Sequence, residues 1–476
     1  MMRATWTRRR FLQVGSGALA AAVLAACGSA SNATPTPAAA TGAGQAPTAA
    51  GGAAPAATGT SAPNVNKGAT VKLKYAGLDS TDYQNAFVKV LNAYKQTHPG
   101  FDVEYDLVPY AQMYPKIQTL TASKTPVDIV MVDGPYVANY AFNNIIVPLD
   151  KYFTKDYVTK SFAPAMVDAS TYQEKFYAAP MQDSASVMWY NKTITDKAGI
   201  KPPTERAKGW TMDEALDAWK EVNNPPTVYG VRWGQAGTNW YGQDYENGLF
   251  RRSAGTKDSP AYKGIADDGI TISGYFDHPV AVKGHQFLQD LYQKHKVSAV
   301  EAIPDIWFNG KAVFYIAPDI IIGQYKRLFP NGSFEYAASP IPYFKDGTRV
   351  CHNDSFHFSI GTYAQHPDEA ADFIKFMTGA EGAKLVYDTL KQLPANQDVL
   401  KALPEYQKLP LSLVAEQYKE SAVTRIITPG YGEFNSLSIE FYQNVQTGQG
   451  GGVQDLATSM AKRCDGLLQK YKGWKK

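Results

Sequence analysis

Three side chains able to bind a small polar molecule follow predicted strands. Asp79 comes two residues after "VKLKYAG", and Asp133 ends the apolar run "VDIVMVD", with Tyr136 three residues later. In an open α/β sheet, ligands bind beyond the carboxyl ends of the strands. Carboxylates there would accept hydrogen bonds from hydroxyl groups, and an aromatic ring would cover an apolar face of a ligand. Capping of the following helix is the alternative role for each Asp.

A second candidate surface lies in "RWGQAGTNWYGQDYENG", which is rich in both aromatic residues and glycine. An aromatic loop is costly to expose unless it packs or binds something. We expect Trp240 or Tyr241 to offer a stacking surface, and packing in the protein core is the alternative. The whole chain has 30 Tyr and 8 Trp, a supply that suits carbohydrate-like ligands.

Common catalytic and metal-binding patterns are absent from the sequence. It contains no Gly-x-Ser-x-Gly, His-Glu-x-x-His or Gly-x-x-x-x-Gly-Lys-Ser/Thr. His352 and His357 are five residues apart, so on a strand they face opposite sides and make a poor metal pair. We therefore expect no cofactor and no metal. A glycoside hydrolase stays open, because its two carboxylates need only meet in space, roughly 5 to 9.5 Å apart.

The elements that must position these residues alternate between strand and helix. Strand Val71–Gly77, helix Tyr83–Thr97 and strand "FDVEYDLV" are followed by a helix around Met113 and the strand Val127–Asp133. This β-α-β-α-β order predicts an α/β fold with an open, parallel sheet. Later predicted elements are a helix over Met212–Val222, a strand and short helix within Gly310–Tyr325, the strand "FHFSIG" and a helix over Pro367–Met377.

The first 68 residues have a different character. Residues 1–26 combine "TRRRFLQ" with a short apolar run, which predicts an export signal of the twin-arginine type. "VLAAC" predicts cleavage before Cys27 and a lipid on that cysteine. Residues 28–66 have no charged and no aromatic side chain, so we expect residues 27–68 to be a lipidated, disordered tether.

Charge and cysteine content limit the possible partners. Beyond residue 26 the chain has 43 basic and 44 acidic side chains, and no long basic run, so we expect no nucleic-acid partner. Cys351 and Cys464 could form a disulfide in an exported protein. The alternative is that Cys464 packs as a small apolar residue on a terminal helix, in the stripe Leu456, Met460, Cys464, Leu467 and Tyr471.

Several stretches together resemble family 1 extracellular solute-binding proteins of ABC importers, the maltose-binding-protein-like class. They occur in the family's order over some 400 residues: "HPGFDVEYDLVPYAQMYPKIQTLTASKTPVDIVMVDGPYVANYA", "IIVPLDKYF", "YQEKFYAAPMQDSASVMWYNKTITDKAGIKPP", "WTMDEALDAWKEV", "FNGKAVFYIAPD", "IPYFKDGTRVCHNDSFHFSIGTYAQHPDEAADFIKFMTGAEG" and "RIITPGYGEFNSLSIEFYQNVQTGQGG".

The resemblance implies a two-lobed, type II fold like that of periplasmic binding proteins, with an open sheet flanked by helices in each lobe. Residues 69–180 with 341–380 would form lobe 1, and residues 181–340 with 381–476 would form lobe 2. Crossing strands would act as a hinge that closes over a ligand. The implied function is a monomeric, lipid-anchored receptor outside the cytoplasmic membrane, which hands a sugar to ABC permease subunits and catalyses nothing.

The resemblance also implies further ligand-binding residues. They follow the crossing strands or lie in loops that match the family's pocket loops: Gln182, Asp183, Asp319, Asn353, Asp354, Tyr431 and Glu433. The "IAPDII" loop lacks the tryptophan that relatives often carry, so Asp319 would supply hydrogen bonds rather than stacking. Helix capping is the alternative for Glu433.

Three alternatives remain beside the sugar receptor. The same fold could bind a polyamine, a phosphorylated compound or ferric iron, although no adjacent Tyr-Tyr pair supports iron. An extracellular glycoside hydrolase would turn over a glycan. An adhesion or structural lipoprotein would show no closure of its lobes on a ligand.

Overall fold

The computed structural model describes residues 65–233, 243–353 and 356–475, and these lie in one compact unit. Cys27, Trp240, Tyr241 and Asp354 fall outside the described residues, as does the predicted signal segment. The strands are β1 (Val71–Leu78), β2 (Phe101–Val108), β3 (Ile129–Asp133), β4 (Thr171–Tyr172), β5 (Lys175–Phe176), β6 (Ala179–Pro180), β7 (Ser186–Asn191), β8 (Tyr229–Arg232), β9 (Ala312–Pro318), β10 (Tyr336–Ser339), β11 (Cys351–His352), β12 (Phe356–Ile360) and β13 (Ala422–Val423).

Helices surround these strands. They are α1 (Thr81–Tyr94), α2 (Tyr110–Ala122), α3 (Val137–Phe142), α4 (Lys155–Ser161), α5 (Pro164–Ala169), α6 (Lys192–Lys197), α7 (Met212–Glu221), α8 (Gln243–Ala254), α9 (Pro260–Lys263), α10 (Pro279–Gln293), α11 (Ile320–Leu328), α12 (Pro367–Thr378), α13 (Ala380–Leu390), α14 (Gln397–Ala402), α15 (Leu411–Ser421), α16 (Tyr431–Thr447) and α17 (Val453–Leu468). None of the described helices combines the length and apolar character that a bilayer crossing requires.

Two sheets form the centres of two lobes. The first has the order β2-β1-β3-β12-β6, and the second has the order β10-β7-β9-β8. β1 pairs in parallel with β2 and β3, whereas β12 is antiparallel to β3. All five residues of β3 are buried, as expected for a central strand covered on both faces. The predicted β-α-β-α-β unit and the open sheets are therefore confirmed.

Local sequence features start and position individual elements. Thr211 and Glu214 form a capping box, in which the side chain of each accepts a hydrogen bond from the backbone N–H of the other. Gly230 lets β8 approach α7 closely, because a Cβ at this position would lie 2.2 Å from the Trp219 carbonyl oxygen. Such contacts hold α7 on the second sheet.

The chain crosses between the lobes more than once. Residues 181–185 connect β6 in the first sheet to β7 in the second, and residues 340–355 return the chain from β10 to β12. After α12, helix α13 packs on α1 and α12, and α15 then packs on β7. Residues 381–390 thus lie against lobe 1, which differs from the sequence-based assignment of residues 381–476 to lobe 2.

The two cysteines are free and buried, so the disulfide that the sequence left open is not formed. The Cys351 sulfur accepts a hydrogen bond from the Ser186 backbone N–H at 3.1 Å. Cys464 packs on the buried face of α17 with Met460 and Leu468. Leu467, predicted in this stripe, is instead 46% exposed. Leu468, four positions after Cys464, takes its place on the buried face.

We predict that the denatured protein, with Cys27 replaced by Ser, gives two free thiols in a thiol-titration assay, from Cys351 and Cys464. The native protein should react slowly, because burial raises the pKa of Cys464 to about 12 and also raises that of Cys351. A reducing agent should leave the thermal unfolding midpoint unchanged. Absence of free thiols in denaturant would contradict this prediction.

Candidate functional site

Three adjoining spaces lie between the lobes. The floor cavity measures about 40 Å³, and its described lining includes Tyr83, Asp133, Gln182, Tyr245, Gln392 and Arg425. The first chamber, of about 600 Å³, is lined by lobe 1 residues that include Asp79, Asp82, Tyr83 and Tyr110. The second chamber, of about 560 Å³, is lined by lobe 2 residues that include Arg232, Tyr245, Glu246 and Tyr315. Ile320 lines all three, and Gln324 and Arg327 line both chambers.

An ion pair between Asp133 and Arg425 forms the polar centre of the floor cavity. Asp133 ends β3, and its Oδ1 lies 2.6 Å from Nη2 of Arg425, with both side chains at most 3% exposed. Tyr110 donates to Oδ2 of Asp133 at 2.6 Å, and Arg425 donates to the hydroxyl of Tyr431 at 3.0 Å. The guanidinium also lies over the Tyr245 ring, 5.6 Å from its centroid. Asp133 is thus at the sheet edge, as predicted, and its carboxylate is held in one orientation.

A chain of polar side chains forms another wall of the floor cavity. The Gln182 amide nitrogen donates to the hydroxyl of Tyr83 at 3.1 Å, and this hydroxyl donates to Oε1 of Gln392 at 3.4 Å. Gln182 lies in the first crossing segment and is 1% exposed. This series of hydrogen bonds therefore joins lobe 1 to two segments that run between the lobes.

Asp183 and Asp319 are fully buried beside this site and belong to none of its described linings. The Asp183 carboxylate accepts from the Ser184 N–H at 2.7 Å and from the Asn353 amide at 3.4 Å. Asp319 accepts from the hydroxyl of Tyr406 at 2.6 Å. These contacts stabilise the crossing segments and the turn between β9 and α11, which differs from the expectation that Asp183, Asp319 and Asn353 contact the solute.

The other predicted residues occupy different positions. Asp79 is exposed at the first chamber and accepts from the Gln84 amide at 2.8 Å. Tyr136 packs edge-on against the buried Tyr431, with ring centroids 5.0 Å apart. Glu433 instead accepts from Tyr471 at 3.0 Å and pairs with Lys470. The Glu433 carboxylate is therefore bound by C-terminal residues, and its contact with a solute stays a prediction.

Sequence reasoning missed several residues of the site. Tyr83 and Tyr110 begin α1 and α2, directly beyond β1 and β2, so the sheet-edge rule that selected Asp133 would also have found them. Arg425 stands alone before the apolar run "IITPG", which is a signal for a buried, paired charge. Gln392 and Tyr245 carry no local signal, because distant segments bring them to the cavity.

Residues 77–384 match the sequence pattern of the bacterial extracellular solute-binding proteins. The chain belongs to this family. The resemblance predicted from the sequence is therefore confirmed. Similar curated proteins include a putative binding protein of Brucella abortus, 22% identical over 396 residues that cover 81% of this chain and 90% of that protein. The galactooligosaccharide-binding protein of Bacillus subtilis is 21% identical, over 78% of this chain and 86% of its own length.

Solved structures of solute-binding proteins share the fold. A Thermotoga lettingae solute-binding protein of an ABC transporter, bound to α-D-tagatose, superposes with a TM-score of 0.71 at 20% identity. The match covers 83% of this chain and 99% of that one. The two-lobed type II fold predicted for this solute-binding protein is confirmed. Its relatives are named as binding proteins, and the described residues hold no group of three or more His, Cys, Asp or Glu side chains placed to bind a metal ion.

Breaking the floor ion pair should destabilise this solute-binding protein strongly. Arg425→Met leaves the Asp133 carboxylate buried without its cation, so we expect a loss of about 3–5 kcal/mol in the free energy of unfolding. Urea denaturation of Arg425→Met, Asp133→Asn and the double variant measures it. The double variant should lose less than the two single variants added together, by about 1–3 kcal/mol. Strictly additive losses would contradict the pairing.

The buried acids should make stability depend on pH. Burial raises the pKa of Asp183 and that of Asp319 to about 7, from 3.8. Because these folded carboxyls keep protons that the unfolded chain has lost, their contribution to stability is complete below about pH 4 and is lost as the pH rises to 7. Asp183→Asn should therefore gain stability relative to the wild type over this interval, by at most about 1.4 kcal/mol per pH unit.

The measurement is the difference in unfolding free energy between Asp183→Asn and the wild type from pH 4.5 to 7.5. Burial lowers the pKa of His285, His352 and His357 to about 3, and this adds stability as the pH rises. The histidines are common to both proteins, so the difference isolates the carboxyl. Asp319→Asn provides a second variant of the same kind, and parallel pH curves for wild type and both variants would contradict the assignment.

Proposed function

We propose that this solute-binding protein is a membrane-tethered receptor that captures a neutral saccharide between its lobes and delivers it to an ABC permease. The observation that carries the proposal is the cleft itself. Two chambers of about 600 and 560 Å³ adjoin a narrow floor cavity, which is the size range of small-molecule sites. Aromatic and planar polar side chains line them together.

The lining has the two kinds of group that a sugar requires. Tyr83, Tyr110 and Tyr245 provide ring surface for apolar C–H faces. Asp133 and Gln182 provide planar groups for hydroxyls. The galactooligosaccharide-binding relative and the tagatose-bound structure are consistent with this solute class. Trp240 and Tyr241 remain our proposed stacking surface, and Asp354 a proposed polar contact.

The charges of the cleft favour a neutral solute over an anionic one. Each arginine in the described lining has a carboxylate partner: Arg425 pairs with Asp133, Arg232 with Glu246 at 3.0 Å and Arg327 with Asp82 at 3.4 Å. A phosphorylated compound would compete with these carboxylates for every arginine. Asp79 and Asp305 are acidic members of the chamber walls, so a polyamine is the second candidate.

The amino-terminal segments would keep the receptor beside its permease. We propose export through the signal in residues 1–26, lipidation of Cys27 and attachment by the tether up to residue 68. A coil of about 40 residues reaches roughly 35 Å on average, which allows a monomeric body to contact permease subunits at the membrane surface. The family supports a binding protein without catalysis of its own.

We predict that a neutral sugar raises the thermal unfolding midpoint of this protein. At a hundredfold excess over its dissociation constant, a ligand specific for the folded state adds about 2.7 kcal/mol of stability. A thermal-shift screen should compare mono-, di- and oligosaccharides with spermidine and ferric citrate. Stabilisation by spermidine alone would support the polyamine receptor, and release of cleaved products from a glycan would support a hydrolase.

Loss of the proposed stacking surface should weaken sugar binding. Trp240→Ala should raise the dissociation constant by roughly tenfold or more, since buried aromatic anchors dominate binding sites. Tyr363→Ala is the matched control, because Tyr363 is 38% exposed and lies outside the described cleft lining. Isothermal titration of both variants measures the effect, and equal affinities would remove Trp240 from the site.

A further inference from the structure

A second ion pair lies on the lobe 2 wall of the cleft. Arg232 ends β8, Glu246 lies in the first turn of α8, and Nη1 of Arg232 is 3.0 Å from Oε1 of Glu246. Both residues line the second chamber. Their side chains are 16% and 26% exposed, whereas the floor pair of Asp133 and Arg425 is almost completely buried. The pair of Arg232 and Glu246 therefore borders the open space of the chamber.

Contacts within lobe 2 hold the guanidinium of Arg232 in one orientation. Arg232 and Tyr315 are opposite each other on the paired strands β8 and β9. The guanidinium lies over the Tyr315 ring, 4.4 Å from its centroid, which is an attractive cation–π geometry. Trp307 packs beside this ring, with ring centroids 5.9 Å apart. A guanidinium fixed between a ring and a carboxylate loses little freedom when a ligand binds to it.

The ion pair uses only part of its hydrogen-bonding capacity. A guanidinium has five N–H donors and a carboxylate has two oxygens, and a bidentate pair joins them by two parallel hydrogen bonds. Here one hydrogen bond, from Nη1 of Arg232 to Oε1 of Glu246, connects the two side chains. Within the described part of the chain, neither side chain makes a further hydrogen bond. Donor and acceptor capacity thus remains side by side at the chamber wall.

Two adjacent hydroxyls of a sugar match this arrangement. In a gauche diol the two oxygens are about as far apart as the partners of a hydrogen bond, roughly 3 Å. One hydroxyl can donate to the Glu246 carboxylate while its neighbour accepts from the Arg232 guanidinium, because every hydroxyl is both a donor and an acceptor. The ion pair stays intact when the diol binds, so neither charge is left without its partner.

Charged groups fit this wall less well than a neutral diol. A phosphate or carboxylate would pair with Arg232 only by competing with Glu246, and an ammonium group would pair with Glu246 only by competing with Arg232. An isolated hydroxyl would use half of the pair. Ile303 and Pro304 line the same chamber and offer apolar surface to the C–H groups of a sugar. The chamber wall is therefore complementary to a neutral molecule with adjacent hydroxyls.

We propose that Arg232 and Glu246 form a specificity-determining subsite for two adjacent hydroxyls of a neutral sugar, with one hydroxyl bound to each side chain. The inference rests on the proposed saccharide function and narrows it to sugars in which both of these hydroxyls are free. Removal or methylation of either hydroxyl weakens binding.

Deoxy sugars and a double variant of the full chain test this subsite by isothermal titration. The probes are D-glucose, D-galactose, D-mannose and their disaccharides, each compared with its 2-, 3- and 4-deoxy analogues. In the wild type, loss of either of two adjacent hydroxyls should raise the Kd roughly ten- to a hundredfold, as expected for a hydrogen bond to a charged group. Arg232→Met/Glu246→Leu removes both charges together and leaves none unpaired. In this variant the parent sugar should bind more weakly, and loss of the same two hydroxyls should cost no further affinity.

Arg463→Met/Glu440→Leu is the matched control. Arg463 and Glu440 form a bidentate pair with distances of 2.6 and 2.9 Å, outside the described cleft lining. This control should keep the affinity ratios of the wild type. Identical ratios of deoxy to parent sugar in the wild type and in Arg232→Met/Glu246→Leu would overturn the subsite and leave the sugar receptor intact. Binding of no sugar by the wild type would overturn the proposed function and, with it, the subsite.

Chemical modification tests the subsite in the unaltered protein. Butanedione reacts with accessible arginines, and mass spectrometry measures the extent of reaction at each one. A bound sugar should slow the modification of Arg232 several-fold and leave that of Arg463, which is 50% exposed, unchanged. Modification of Arg232 at the same rate with and without a bound sugar would overturn the proposal even if the sugar binds elsewhere in the cleft.

Discussion

The arrangement of the cleft depends on the buried ion pair between Asp133 and Arg425. The two residues are 292 positions apart in the chain, and one ends the central strand of lobe 1 while the other precedes α16. Removing a charge from water costs several kcal/mol, which only a close and fully hydrogen-bonded partner offsets. The pair therefore forces the C-terminal segment onto the end of β3. A hydrophobic pair would stabilise the same contact but would not define the orientation of a carboxylate.

Contacts at the mouth of the cleft differ in strength from contacts at its floor. The pair between Asp82 on α1 and Arg327 on α11 links the lobes, but the two side chains are 34% and 57% exposed. An exposed pair is worth at most about 1 kcal/mol, whereas the floor pair is almost completely buried. A motion that separates the lobes at the mouth thus costs little while the floor pair stays closed. The floor is the part of the site that is organised before a solute arrives.

Some of this organisation could be predicted from the sequence, and some could not. The β-α-β-α-β succession predicts an open sheet, and the position of Asp133 at the end of the apolar run of β3 places it at the carboxyl edge of that sheet without knowledge of any other residue. Arg425, Gln392 and Tyr245 reach the same cavity from segments far apart in the chain. Their positions depend on how the crossing segments and C-terminal helices pack, and periodicity within a short window contains no information about that packing.

In two segments between the lobes, the immediate neighbours of a residue predicted to bind the solute line the cavity. Side chains of an extended chain point alternately to opposite sides. In the first crossing, Gln182 and Ser184 line the floor cavity and Asp183 between them is turned into the hinge. After β9 the chain turns instead into α11: Asp319 has helical backbone angles (φ −64°, ψ −16°) and accepts a hydrogen bond from Tyr406, while Pro318 and Ile320 on either side of it line the cavity.

A choice based on residue type alone favours the two carboxylates, because charged groups bind hydroxyls well. The alternation assigns Asp183 to the opposite side, and the turn into α11 does the same for Asp319. Burial raises the pKa of both carboxyls, and hydrogen bonds from Ser184 and Tyr406 hold the first crossing and the β9–α11 turn in place. The direction in which each side chain points thus decides whether it can contact a solute or stabilises the segments between the lobes. β3 and the Asp133–Arg425 pair define where the cavity lies relative to the first crossing. Because side chains of an extended segment alternate between two sides, Gln182 then points to the cavity and Asp183 points away from it.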